Sequence, residues 1–317
     1  MSTSTEPIGY ANGTLVPFSQ LSLPILDQGF IHGVTVAEQV RTFRGQPFLL
    51  DDHYQRWTRG LEVLGIELPC TLDELRIFIA KLIDHNARLL PDGSEQGICF
   101  FATPGCSRNP WSEFLDRDSD ISNEKKSQFS IYTYPIQMAE NQRKYRQGIE
   151  LITARNVDVP NQCWPKGIKV RSRLHYYLAQ RQAAASARSG GFAYPILLDL
   201  EGHVSDSSIG SIVGWSNQEG LIVRPAVDRY DSITLRFVIR LANSLGLKVT
   251  ERYMKASELT NFDELYLVST PWCIYPVTQV DNVELDDVKL PAATSSDTTF
   301  RRLMQAWETF VGCSILN

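Results

Sequence analysis

The chain has 317 residues, 43% hydrophobic and 21% charged, with a net charge of -5. Those values fit a globular protein of one large or, more naturally, two ordinary domains, and exclude the basic face typical of nucleic-acid binders. No apolar run approaches the roughly 20 residues that span a bilayer. The six cysteines carry no CxxC pair and the five histidines are dispersed, so neither a disulfide framework nor a metal site is expected. Met1 to Gly9 lacks the basic-then-apolar pattern of a secretory leader, so the expectation is a cytoplasmic enzyme with small-molecule partners.

Taken in order, Gly13 to Pro17 reads as the approach to a hairpin and Leu21 to Leu26 as a short apolar strand ending at Asp27-Gln28-Gly29. Gly33 to Phe43 is a second strand, closed by the turn Arg44-Gly45-Gln46-Pro47, and the loop before it carries Asp27, Gly29, His32 and Gly33. Asp51 is placed to cap a helix whose Tyr54, Trp57, Leu61 and Leu64 share one face. Thr71-Leu72-Asp73-Glu74 reads as a capping box opening a second helix. Ile98 to Ala102 and Phe129 to Ile136 are buried strands, and the polar stretch Asn109 to Gln128 between them is an exposed loop. A domain boundary is expected within 120–138, giving a small domain of residues 1–130 and a larger one of residues 131–317.

The second half opens with a strand at Ile149 to Ala154 and a loop at Pro160 to Lys166. An Ala- and Gln-rich helix then runs to about Arg188. Hairpins turn at Glu201-Gly202 and at Gln218-Glu219-Gly220, and Ser232 caps a helix from Ile233 to Leu245. Strands at Lys248 to Arg252, Glu264 to Ser269 and Tyr275 to Val280 follow, then an amphipathic helix over Asp297 to Val311. Many strands and a few long helices without strict alternation indicate an α+β protein.

Four features of this layout supply the parts of one chemistry. Lys169 is read as following a strand, at a turn entering a helix, and offers an amine. Asp231-Ser232-Ile233-Thr234 opens a helix with small polar residues whose free N–H groups suit a phosphate. Arg56 offers a guanidinium, and Asp206 follows a strand as a carboxylate. Each alone has an ordinary reading, as a solvated charge, an N-cap or a turn. Together they are what pyridoxal 5'-phosphate requires: an amine to hold it, a phosphate cradle, and a carboxylate that keeps the ring nitrogen protonated.

In the same order the chain resembles the fold-type IV (class IV) pyridoxal-phosphate enzymes, which include branched-chain aminotransferases, D-amino-acid aminotransferases and aminodeoxychorismate lyases. Asp27-Gln28-Gly29-Phe30-Ile31-His32-Gly33 looks like D-R-G-F-x-Y-G, and Val36-Ala37-Glu38-Gln39-Val40-Arg41 like V-F-E-T-I-R. Asp52-His53-Tyr54-Gln55-Arg56 is similar to E-H-x-x-R, whose arginine binds cofactor phosphate, and Ile168-Lys169 matches the Schiff-base lysine. Val204-Ser205-Asp206 matches V-T-E, Ser232-Ile233-Thr234 matches G-I-T and Ser269-Thr270 matches G-T. The resemblance implies a small N-terminal α/β sandwich domain and a larger β-barrel-like domain with flanking helices. It also implies a homodimer, with Lys169 catalytic and Arg56, Asp206, Ser232, Ile233, Thr234 and Thr270 on the cofactor.

The expected activity is amino-group transfer between an amino acid, branched-chain ones included, and a 2-oxo acid. A lyase of the aminodeoxychorismate type and a cofactor-binding protein without catalysis are the alternatives. The departures lie on the substrate side. Asp206 replaces a glutamate, and His32 stands where a tyrosine is common. The Y-x-R strand that reads the substrate carboxylate falls on Gly97-Ile98-Cys99, so its arginine is missing. Arg171, Arg173 and Arg108 are the candidates to replace it, because a guanidinium fork matches a carboxylate.

Overall fold

The computed structural model describes residues 6–107, 127–187, 191–285 and 298–316. The expected loop at 109–128 falls outside them but for its last two residues, as does Arg108. The chain divides into two compact units, Met1–Ile136 with Ile168–Ser172, and Gln137–Gly167 with Arg173–Asn317.

The first unit begins with a hairpin of β1 (Ile8–Ala11) and β2 (Thr14–Pro17), turned at Asn12 and Gly13, which both take positive φ. A short helix α1 (Gln28–Ile31) precedes β3 (Val36–Phe43) and β4 (Gln46–Pro47). Helices α2 (Leu50–Val63) and α3 (Leu72–Ala87) lead to β5 (Gln96–Thr103) and β6 (Gln128–Pro135). All pairings are antiparallel, in the order β2-β1-β6-β5-β3-β4. The 3.6-residue stripe of α2 and α3, with Trp57, Leu61, Leu75, Ile79 and Leu82, packs on the alternate residues Val36, Val40, Ile98, Phe100 and Ile131 of the sheet.

Two expectations fail here for physical reasons. Leu21 to Leu26 forms no strand: Pro24 has no N–H to give, and Leu23 and Ile25 are exposed. Instead Asp27 caps α1, its carboxylate accepting from the Gly29 N–H at 2.6 Å. Asp51 is not the cap of α2 either. Leu49 takes that place in a left-handed conformation, which puts Asp51 in the first turn, paired with Arg76 at 2.7 Å. The capping box at Thr71 and Glu74 is present as expected.

In the second unit α4 (Met138–Gln147), β7 (Ile149–Thr153), α5 (Leu174–Ser186), β8 (Ala193–Leu198) and β9 (Val204–Asp206) come first. They are followed by β10 (Ser211–Ser216), β11 (Gly220–Val223), α6 (Ile233–Ser244) and β12 (Val249–Glu251). The unit ends with β13 (Glu264–Ser269), β14 (Cys273–Val280), β15 (Val283–Glu284) and α7 (Thr299–Val311). The strands form one mixed sheet in the order β12-β11-β10-β13-β14-β7-β8-β9, with β15 on β14. Buried Phe237 of α6 meets Trp307 of α7 edge to face. The class is α+β, as the sequence pattern indicates. Among the described residues no helix is long and apolar enough to cross a membrane.

Candidate active site

Lys169 does not follow a strand, contrary to the sequence reading; its segment runs beside one. The Lys169 carbonyl accepts from the Ala37 N–H at 2.9 Å, the Arg171 N–H donates to the Thr35 carbonyl at 3.1 Å, and Val170 bridges Val36. The lysine is thereby fixed against β3, half-buried. One residue on from Ala37, Glu38 is fully buried and accepts from Arg56 Nε at 2.7 Å and Nη2 at 2.5 Å. His53 Nδ1, which carries the ring proton because its partner is a carboxylate, lies 2.8 Å from the same group. His53 and Arg56 sit three apart on α2 and so share a face.

Burial alone would raise the Glu38 carboxyl, but the Arg56 charge and the hydrogen bonds from His53 and Arg56 outweigh it and hold it at about 2. Burial pushes His53 below its ordinary value, and the Lys169 charge acts in the same direction. His53 is neutral at neutral pH, and its buried Nε2 has no hydrogen-bond partner. Sequence reasoning named Arg56 but assigned no role to Glu38 or His53. The signal was there: a carboxylate in an apolar strand and a His-x-x-Arg spacing.

Two substitutions on β5 are matched by side chains from elsewhere in the same unit. Gly97, at the motif's tyrosine position, lies under the Tyr134 ring, which a Cβ there would overlap. Cys99, at the arginine position, accepts from Arg171 Nη2 at 3.0 Å. Arg171 lines a cavity of about 450 Å³ with Leu23, Ile25, Phe30, Phe101 and Tyr132. Burial pushes the Tyr132 phenol up, so it is neutral there. His32 is not part of that lining; it is exposed and its Nδ1 lies 2.7 Å from Gln28 Oε1.

The second unit holds the other candidates. Ser232 caps α6, its hydroxyl accepting from the Leu235 N–H at 3.2 Å. Ile233 and Thr234 form the first turn, and Thr234 Oγ1 meets Thr270 Oγ1 at 2.9 Å, so two of the expected phosphate contacts are side by side. Arg173 donates from Nη2 to the Ser208 carbonyl and lies over the Tyr176 ring. Asp206 ends β9, 7% exposed, with Oδ1 buried and without a hydrogen-bond partner. Burial first and the Asp158 charge second push its carboxyl up to about 7. A buried carboxylate oxygen lacking a donor fits a protonated ring nitrogen, and a helix N-terminus with two hydroxyls fits a phosphate. The donor set therefore fits pyridoxal phosphate.

The sequence pattern described as amino-transferase class IV matches residues 35–280. The chain belongs to the class IV aminotransferase family. It is similar to the D-alanine aminotransferase of Bacillus licheniformis, 28% identical over 271 residues that cover 85% of this chain and 87% of the relative. The aminodeoxychorismate lyase of Bacillus subtilis is 25% identical, over 86% of this chain and 87% of the relative. Among solved structures, the T.th. branched-chain amino acid aminotransferase with pyridoxamine 5'-phosphate matches with a TM-score of 0.76 and 21% identity, covering 97% of this chain and 95% of that one. The enzyme thus has the fold-type IV architecture, and the span matched by the family contains Lys169, Arg56, Asp206 and the start of α6.

Proposed function

We propose that this enzyme is a pyridoxal-phosphate-dependent aminotransferase that moves an amino group from an amino acid to a 2-oxo acid. The observation that carries the reading is Lys169, its backbone fixed on β3 and its charge felt by the buried His53 that pairs with Glu38, within a chain of this family. When bound, the cofactor supplies an aldehyde for the substrate amine and a ring that withdraws electrons from the substrate α-carbon.

The chain's own residues do the rest. Lys169 would anchor the cofactor through its amine, and with that amine free it would take the α-carbon proton as a base and return it as an acid. Lys166 is the neighbouring amine, but it is engaged by Asp158 and Ser205. In the first unit Arg56, its plane set by Glu38, would offer a guanidinium to a phosphate; in the second unit Ser232, Ile233, Thr234 and Thr270 would offer N–H groups and hydroxyls to one. Asp206, with a buried oxygen lacking a donor, would pair with the ring nitrogen. Arg171 takes the substrate carboxylate, and the apolar walls beside it favour an apolar side chain, branched ones included. The first unit also exposes Ile25, Phe30 and Ile31, an apolar face suited to a second copy in a cytoplasmic homodimer.

The test is to incubate the purified protein with amino donors and a 2-oxo acid and to follow the new 2-oxo acid. Transfer is expected, falling by at least about a thousandfold in Lys169→Ala, as for loss of an essential base. Turnover retained in that variant, or breakdown of an amino donor with no acceptor needed, contradicts the reading.

A further inference from the structure

We propose that Tyr132 is a specificity-determining residue, its phenol donating to the same substrate carboxylate that Arg171 takes. The inference deepens the reading of Arg171 given above and rests on it. Every residue it uses lies in the first unit.

Residues directly opposite one another in an antiparallel ladder project from the same face of the sheet. On β5, Ile98, Phe100 and Ala102 pack toward the core with α2 and α3, which leaves Gly97, Cys99 and Phe101 on the other face. Tyr132 of β6 is the direct partner of Cys99 and so stands beside it on that face. The Cys99 sulfur is also the atom that accepts from Arg171 Nη2 at 3.0 Å. A phenol from β6 and a guanidinium from the 168–172 segment thus flank one residue of β5. Both Tyr132 and Arg171 line the cavity of about 450 Å³, with Phe101 next along the same face. Cys99 is fully buried and is not part of that lining, so the groups an occupant meets there are the phenol and the guanidinium.

The Tyr132 ring is held on two sides. Phe18, from the short turn Phe18–Gln20, meets it edge to face with centroids 5.9 Å apart, and the Tyr134 ring lies 6.3 Å away. A phenylalanine would satisfy those contacts equally well, so packing does not account for the hydroxyl. Among the lining residues the polar side chains are Arg171, Tyr132 and Thr35. Thr35 belongs to another row, since it precedes Val36, whose partner on β5 is Ala102. A carboxylate offers two oxygens with about four acceptor positions, more than one guanidinium edge fills. Burying it well calls for a further donor, and the protonated phenol is one. With the carboxylate gripped between Tyr132 and Arg171, the rest of the substrate is directed along Leu23, Ile25 and Phe30, which selects an apolar side chain.

The experiment is isothermal titration calorimetry of the full chain as purified, with 3-methylbutanoate and with its uncharged amide. The unaltered protein is expected to bind the acid more tightly than the amide. Tyr132→Phe keeps the ring and its contacts with Phe18 and Tyr134, and should weaken the acid about tenfold or more while weakening the amide far less. That is the loss expected when a donor to a charged group is removed. Arg171→Met should weaken the acid as well. Unaltered acid binding in Tyr132→Phe overturns the proposal, and so does an equal loss for acid and amide, which is what a mere wall would give. Acid binding that survives in Arg171→Met, or that is absent from the unaltered protein, overturns the shared grip. None of these readings needs transfer of an amino group, so their failure is distinguishable from failure of the aminotransferase assignment, which the donor assay tests.

Discussion

Arg171 and Cys99 lie 72 positions apart in sequence and within hydrogen-bond distance in space. A thiol is a weak acceptor for a guanidinium with five donors, and the cavity walls around it are otherwise mostly apolar. An incoming carboxylate is the better partner. Arg171→Met should therefore raise KM for an amino acid about 10- to 100-fold, the worth of a charge-assisted hydrogen bond, with kcat changed far less. Steady-state kinetics with one apolar amino donor decide it, and an unchanged KM rules Arg171 out as the carboxylate reader. The motif comparison put the missing arginine on β5 and left Arg171, Arg173 and Arg108 as candidates to replace it, among which spacing could not choose. The contact depends on the 168–172 segment lying beside β3, a long-range pairing with no local signal. Glu38 and His53 carried a local signal, a carboxylate in an apolar strand and a His-x-x-Arg spacing, but their partnership forms only when β3 and α2 pack.

At the scale of elements, periodicity and turn chemistry carried most of the information. The α2 and α3 stripes, the Thr71 capping box, the Ser232 cap and the hairpins all rest on local rules and all appear. Leu21 to Leu26 failed because apolar composition alone does not give a strand a partner, and Leu49 overrode the Asp51 cap by adopting a backbone conformation that leucine rarely takes. The β5–β6 pair shows how far such details matter. Gly97 faces Tyr134 across the ladder, and the ring occupies the space of a Cβ. Gly97→Ala should displace the ring and lower stability by about 1–3 kcal/mol, the usual cost of overpacking. Urea unfolding would measure it, and an unchanged midpoint would mean that β5 and β6 do not pair in this register.

At the scale of the whole chain, Lys169 belongs to one compact unit and Asp206 to the other. The α+β class was legible from the succession of strands and helices, and the family from seven short motifs in order, spread over most of the chain. The identity of the substrate was not, because Gly97 and Cys99 stand at the motif positions that would read it. Lys169 is proposed above to be the residue that carries the cofactor. Reducing the cofactor-loaded protein with borohydride fixes the cofactor on its lysine, and peptide mass mapping then finds which one. The added mass is expected on the peptide containing Lys169 and absent from it in Lys169→Ala. Its appearance on Lys166, or on no lysine at all, would rule Lys169 out as the anchoring residue.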